Sequence, residues 1–336
     1  MRRLRLFFPK GGVSFSSCLM SCLCLIFMLS SCIHKMISDE DDHAVHLKVS
    51  FNWSKSPGAC PRSMAVFFYS LTDNKMLRHD FRGCSGGVIR LPRDSYRALC
   101  FNTNTEGMIY KNTHSFEDFV ITTRETRILS SLLPLVTRGK VPRAENTDDE
   151  RVALSAHKIW SDKVMMIHAG TMEENFVRAQ GDEQEVVFHP QARTRHYTVE
   201  VKNIQNMKYN TGFSATLSTI SGGYLPGADK LSDELVTVPF EMSSNLEEKA
   251  ITGSFDTFGC NDIAGSKHYL TVYAVLSDGR QWFYKADVTD QIHEAGDSEH
   301  ITIVIENLRL PKPIVNGGGF KPELSEWKEI DEYIKM

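Results

Sequence analysis

Thiols are the side chains of this 336-residue chain best suited to covalent chemistry, and their spacing sorts its eight cysteines into three groups. Cys18, Cys22 and Cys24 lie in an apolar run near the start. Cys32 closes the small-residue box Leu29-Ser30-Ser31-Cys32. Cys60, Cys84, Cys100 and Cys260 are spread through the remainder. An even number in an exported chain permits disulfides, and four cysteines allow three pairings. Local geometry favours one of them. Ser63-Leu71 and Met76-Arg82 read as two strands around the turn Thr72-Asp73-Asn74-Lys75. With Asp73-Asn74 at the tip, Ser63 faces Cys84, and Cys60 lies just beyond the open end. Cys60–Cys84 is therefore the expected bridge, contributing about 2–4 kcal/mol. Cys100 and Cys260 are expected to be small buried apolar residues.

No other constellation adds up to catalysis. Gly83-Cys84-Ser85-Gly86-Gly87 has the outline of a serine-nucleophile loop, but a turn into a strand accounts for both glycines. Nothing in the sequence places a His–Asp pair beside Ser85. The twelve histidines include no H-E-x-x-H, and beyond Cys32 there is no Cys-x-x-Cys. His293-Glu294 falls in a short helical stretch and reads as a solvated face. Gly317-Gly318-Gly319 lacks the Lys-Ser/Thr that a phosphate cradle needs. Asp39 to Asp42 form an acidic run without the shaped loop of a calcium cage. No catalytic, cofactor or metal residue is assigned, and a non-enzymatic protein is expected.

Residues 1–31 have the order of a secretory signal: Arg2, Arg3, Arg5 and Lys10, then an apolar core from Leu19 to Leu29, then the small-residue box. The apolar stretch is too short to span a bilayer. Leu29-Ser30-Ser31-Cys32 resembles a bacterial lipobox, which implies an acylated Cys32 as the first residue of the mature chain. Ser38-Asp39-Glu40-Asp41-Asp42 then reads as a solvated linker. It also resembles the acidic signal that sends Bacteroidales lipoproteins to the outer face of the outer membrane. Cleavage would remove four basic residues and no acidic one, moving the net charge from -4 to -8. An acidic body without a basic stripe argues against nucleic acid as a partner.

The rest of the chain is patterned for strands. Val45, Leu47, Val49, Phe51 and Trp53 alternate with polar residues, putting one face inside. Met64-Tyr69, Leu77-Phe81, Val88-Pro92 and Tyr96-Asn102 follow. A second series begins near His196, with Tyr197, Val199 and Val201 alternating. It continues through Phe213-Ile220, Leu235-Met242 and Lys249-Phe255, where Pro239 hints at an edge or bulge. Tyr269-Val275 turns at Asp278-Gly279 into Gln281-Lys285, the strongest hairpin signal in the sequence. Ile301-Ile305 closes the series as a core strand. Arg138-Arg151 reads as a surface loop, Ser115-Phe119 and Arg127-Leu133 as short helices, and Phe176-Ala179 and Glu185-Phe188 as strands. Trp53, Trp160 and Trp282 are expected in the core. The pattern predicts an all-β chain of antiparallel sandwiches.

Several segments together resemble the Bacteroidales fimbrillin-like lipoproteins. They are Phe51-Asn52-Trp53, Gly87-Val88-Ile89-Arg90-Leu91-Pro92, Tyr96-Arg97-Ala98-Leu99-Cys100-Phe101-Asn102, Gly253-Ser254-Phe255-Asp256-Thr257-Phe258-Gly259 and Asp287-Val288-Thr289-Asp290-Gln291-Ile292. The tail Gly318-Gly319-Phe320-Lys321-Pro322-Glu323-Leu324-Ser325-Glu326-Trp327 matches too. The likeness is greatest to the branch with minor-fimbrium anchor proteins and, within it, to a domain family without assigned function. It implies two tandem transthyretin-like β-sandwiches and a role in anchoring, capping or terminating fimbriae whose subunits join by strand donation. That mode rests on β-augmentation: backbone hydrogen bonds give affinity and alternate side chains give specificity. Shaft subunits of the family lose an N-terminal strand at a basic cut. Here Arg138, Lys140 and Arg143 lie too far along the chain, and Lys35 is the only Lys or Arg between Cys32 and the first strand. The first strand should therefore be retained, as suits an anchor.

The expected organisation is a signal at 1–31, an acylated tether at 32–43, an N-terminal sandwich at 44–189, a C-terminal sandwich at 190–310 and a Pro/Gly-rich tail at 311–336. Phe320 and Trp327 are expected to pack that tail back on the body. The leading expectation is a lipid-anchored outer-membrane protein acting as a fimbrial component or adhesin. Its partners would be membrane lipid, through Cys32, and fimbrial subunits. The alternative is a surface lipoprotein that binds glycan or host protein.

Overall fold

Strand follows strand through the computed structural model, which describes residues 44–129, 141–170, 184–261, 266–313 and 327–330. Cys32, the tether, the strand expected at Phe176-Ala179, most of the helix expected at Arg127-Leu133, and Phe320 lie outside those residues. The first ten strands are β1 (Ala44–Phe51), β2 (Ser63–Ser70), β3 (Met76–Arg82), β4 (Gly86–Pro92), β5 (Asp94–Asn102), β6 (Met108–Lys111), β7 (Val120–Thr123), β8 (Arg151–Val152), β9 (Trp160–Ala169) and β10 (Gln184–Phe188). Then come β11 (Gln191–Ala192), β12 (Arg195–Lys202), β13 (Asn210–Ser221), β14 (Gly223–Leu225), β15 (Lys230–Leu231) and β16 (Leu235–Glu241). The last are β17 (Ser243–Asn245), β18 (Ala250–Thr257), β19 (Tyr269–Leu276), β20 (Gln281–Asp287), β21 (His300–Glu306) and β22 (Trp327–Glu329). The α-helix α1 (Thr289–His293) lies between β20 and β21.

Two sandwiches share one plan. In the first, the sheet β10-β1-β4 faces the sheet β11-β9-β5-β2-β3; in the second, β17-β18-β12-β21 faces β22-β20-β19-β13-β16-β8. Seven strands correspond in order: β1 to β12, β2 to β13, β3 to β16, β4 to β18, β5 to β19, β9 to β20 and β10 to β21. Both first strands pair in parallel with the last of their set, β1 with β10 and β12 with β21. The similar turns Leu71-Thr72-Asp73-Asn74-Lys75 and Leu276-Ser277-Asp278-Gly279-Arg280 connect β2–β3 and β19–β20, which are not equivalent positions. The repeat is in strand order, not in those turns.

Period-two alternation fills both cores. Leu47, Val49 and Phe51 of β1 meet Met64, Val66 and Phe68 of β2, while Tyr197, Val199 and Val201 of β12 meet Ala215, Leu217 and Val272. β2 is buried along nearly its whole length, because its other face is covered as well. Phe67 and Tyr69 pack there with Phe101, Phe119, Ile121 and Tyr224. Tyr224 belongs to a four-stranded sheet, β15-β14-β7-β6, whose members come from both sides of residue 190. β8 likewise joins β16, and β11 joins β9. Among the described residues, pairing between these strands thus crosses that point three times, and an isolated bridge between Ala156 and Asp256 crosses it again.

Four expectations need correction. Trp53, Trp160 and Trp282 are half-buried, not core. The first strand stops at Phe51 because the Asn52 side chain accepts a hydrogen bond from Ser54 N–H, turning the chain into a short 3-10 helix at Trp53–Lys55. Among the described residues of the expected surface loop Arg138-Arg151, residues 141–151 are built into the body. Arg143 donates to the carbonyls of Asp148 and Glu150 and to Thr237 Oγ1, and the Glu150 carboxylate accepts from Thr219 and Thr237. Those bonds pair most of the polar groups that packing covers, with Arg143 Nε left without a partner. Ser115-Phe119 forms turns, not a helix.

Candidate partner-binding edges and cleft

An all-β body meets partners chiefly through unpaired sheet edges, so how each edge is finished decides what can bind. β1 is not an edge. It sits between β10 and β4, in register with β10 from Leu47↔Gln184 to Phe51↔Phe188. β4 approaches so closely that a Cβ on Gly86 would lie 2.0 Å from the Val49 carbonyl oxygen, and Gly86 also needs φ +96°. Only glycine fits there.

The outer strands are finished in different ways. β21 is sealed by one side chain: Gln291 Oε1 accepts from Val304 N–H at 2.8 Å, and Gln291 Nε2 donates to Val304 O at 3.1 Å. The amide acts as one residue of an additional strand. β20 is covered over Gln281–Phe283 by β22, which pairs in parallel with it. Trp327 anchors this tail strand edge-on against Tyr273, with ring centroids 5.3 Å apart. β9 is covered by β11 only at Trp160 and Ser161. Further along, Met165 and Met166 are each 52% exposed and form a bulge opposite Arg97. Edge bulges interrupt the ladder and discourage pairing.

At one end of the second sandwich the sheets part around a cleft of about 530 Å³. β16 pairs with β13 only as far as Glu241, opposite Ser214. The chain then crosses to the other sheet, where β17 pairs with β18. Asn210–Phe213 of β13 keep β19 on one side and face the cleft on the other. Met207, Phe213 and Met242 form its floor and Leu246, 61% exposed, its lip. Asn210 also lines it, and its Oδ1 is buried without a hydrogen-bond donor.

The residues singled out in the sequence are dispersed. Cys60 and Cys84 are joined in a disulfide, Cα atoms 5.1 Å apart, and the Cys84 carbonyl accepts from Trp53 Nε1. Cys100 and Cys260 are buried outside any disulfide, and burial holds the Cys100 thiol well above its ordinary pKa. Ser85 is exposed in its turn. His293 does end a short helix, as its spacing implied, but its Nε2 lies 3.1 Å from Nε2 of the fully buried His268. His268 Nδ1 in turn lies 3.8 Å from Cys260 Sγ, which touches Tyr197 Oη at 3.6 Å. Burial, then the neighbouring His293, lowers the pKa of His268. No sequence motif signals this file of groups, since its members come from one strand, two loop stretches and a helix. Among the described residues no set of three or more His, Cys, Asp or Glu is placed to hold a metal ion. No described helix is long and apolar enough to cross a membrane.

These features define an all-β sandwich protein. Residues 31–241 match the family model described as a domain of unknown function, DUF5119, and the chain belongs to that family. No curated protein matches it. Among solved structures it is similar to a candidate adhesin from Bacteroides ovatus, at 15% identity and a TM-score of 0.58, over 82% of this chain and 94% of that one. It is also similar to the fimbrial anchor protein Mfa2 from Porphyromonas gingivalis, at 12% identity and a TM-score of 0.47, over 78% and 90% of the two chains. A candidate polysaccharide-binding protein from Bacteroides thetaiotaomicron gives 9% identity and a TM-score of 0.46, over 79% and 91%. At such identities the likeness is one of fold, and the Bacteroides ovatus structure carries it.

Proposed function

We propose that this chain is a non-enzymatic lipoprotein of the outer-membrane surface, acting as a fimbrial anchor, minor fimbrial component or adhesin. Acylated Cys32 holds it in the membrane, and partners join by strand addition. The observation that carries the reading is the place of β1 together with the chain that leads to it. The strand nearest Cys32 is locked between β10 and β4 instead of lying at a sheet edge. Loss of a strand so placed would open a groove between β10 and β4, as in a shaft subunit; Lys35 is the only Lys or Arg between Cys32 and β1, which argues that this chain keeps the strand, as suits an anchor. The Leu29–Cys32 box, the acidic Ser38–Asp42 block and a fold shared with a candidate adhesin support the same reading. Labelled palmitate should enter the wild-type protein and not Cys32→Ala, which should leave the membrane fraction. The protein should also co-purify with fimbriae. Intact fimbriae and unchanged attachment in a null strain refute the fimbrial part.

The cleft favours a second reading, a surface protein that binds glycan or host protein, because its volume falls within the range of ligand sites. Binding on a glycan array separates the two.

A further inference from the structure

We propose that His196 and His300 form a surface chelate for a divalent late first-row transition ion, copper(II) or zinc, on the outer face of the second sandwich. The inference goes beyond the fimbrial reading and does not depend on it.

The two histidines are built into neighbouring strands. β12 and β21 run in parallel with His196 opposite His300, and the His196 N–H donates to the carbonyl of Glu299. Tyr197 and Ile301, the next residues, are buried. Alternation therefore turns both imidazoles out to solvent, where their side chains are 40% and 58% exposed. The ring centroids lie 6.2 Å apart. An ion about 2.0–2.1 Å from each Nε2 stands about 3.2 Å from each ring centre, so a shared ion allows centroids up to about 6.4 Å apart. The χ2 torsion of histidine is soft enough to close the angle further.

A carboxylate holds the inner nitrogen of each ring. His196 Nδ1 lies 2.9 Å from Asp256 Oδ1, and Asp256 stands opposite His196 on β18, on the side of β12 away from β21. Nδ1 and Nε2 occupy opposite edges of the ring, so this contact turns Nε2 toward His300. His300 Nδ1 lies 3.1 Å from Asp297 Oδ2, and Asp297 Oδ1 accepts the N–H groups of Glu299 and His300. Those bonds, the one from Glu299 first, hold the Asp297 carboxyl below its ordinary pKa and so keep it charged. A carboxylate at Nδ1 fixes the proton there and leaves the lone pair on Nε2, the arrangement that orients metal-bound histidines. Neither Nε2 has a hydrogen-bond partner among the described residues.

Imidazole selects copper, nickel and zinc over the hard ions calcium and magnesium. Two protein donors, with water completing the shell, suit an exchangeable ion, since structural zinc sites use four protein ligands and catalytic ones three. His268 and His293 make another pair, but their Nε2 atoms are 3.1 Å apart, the distance of one shared hydrogen bond, and His268 is fully buried. An ion there would have to break that bond and enter the core.

The test titrates Cu2+ and, separately, Zn2+ into the full-length protein in detergent, with circular dichroism to confirm that each variant folds. Electron spin-echo modulation of bound Cu2+ should count two imidazoles in the wild type and one in His196→Ala or His300→Ala. Both variants should bind at least about tenfold more weakly, and Asp256→Asn should also weaken binding about tenfold while still showing two imidazoles. His46→Ala, which removes an exposed histidine of β1, should leave the affinity unchanged. The ion ties the first strand of the second sandwich to its last, so Zn2+ should raise the Tm of the wild type and not that of His196→Ala/His300→Ala. Wild-type affinity in that double variant overturns the proposal, as does failure of the wild type to bind either ion. Binding that is lost in His293→Ala and kept in His196→Ala assigns the ion to the buried pair and overturns it equally.

Discussion

Replacing Gln291 with alanine should open the edge of β21 without unfolding the sandwich. The change removes two hydrogen bonds, at 2.8 and 3.1 Å, that close Val304 on its outer side. A net contribution of about 0.5–1.5 kcal/mol per bond makes the local loss about 1–3 kcal/mol. That corresponds to roughly a 5- to 150-fold rise in the opening equilibrium seen by Val304 N–H. Alanine costs the short helix nothing in propensity, and buried Ile292 still holds it against the core. The assay is amide hydrogen exchange read at Val304, with sedimentation velocity to follow self-association through the bared edge. Gln291→Glu keeps an acceptor for Val304 N–H but sets a carboxylate against Val304 O, so it should behave like alanine above the carboxylate pKa and recover in acid. Unchanged exchange at Val304 in Gln291→Ala, at equal global stability, would show that the side chain does not seal this strand.

Two further perturbations probe the body. Cys60→Ala/Cys84→Ala releases a bridge spanning 24 residues, which chain entropy values at about 3.5 kcal/mol, read as a lower denaturant midpoint; a loss below about 1 kcal/mol means that β2–β3 pairing already constrains the loop. His268 and His79 both titrate below the ordinary value of 6.5, chiefly because burial disfavours the charged ring. The unfolded chain therefore takes up protons first, so stability is full above about pH 6.5 and falls as the pH drops below it. Tm measured from pH 7 to pH 5 should decline, and His268→Gln should shrink the decline; an equal decline in that variant removes His268 from the account.

Strands and hairpins were legible where one physical rule acted alone. Asp278-Gly279 specifies its turn because Gly279 adopts φ +80° and the Asp278 carboxylate accepts from Arg280 N–H. β1 and β12 announce themselves by alternation, each having one face on a core. β2 reads as a strand, but nothing local says that its second face is covered, since its cover includes Tyr224, far along the chain. The segment 141–150 is irregular with Glu145, Asn146, Asp148 and Asp149 exposed, as its polar composition implied; its attachment through Arg143 and Glu150 depends on partners that only the fold supplies. Tryptophan size suggested the core, yet Trp53 and Trp160 stack edge-on at 6.3 Å near the surface. The cleft had no signature at all. It arises where a ladder ends, and residue types do not record that.

The position of β1 also sets how the protein bears load. Were the chain held at Cys32, as proposed, tension would reach the body at β1, whose rungs to parallel β10 run from Leu47 to Phe51. Those hydrogen bonds lie across the pull, so they resist together in shear instead of unzipping one at a time.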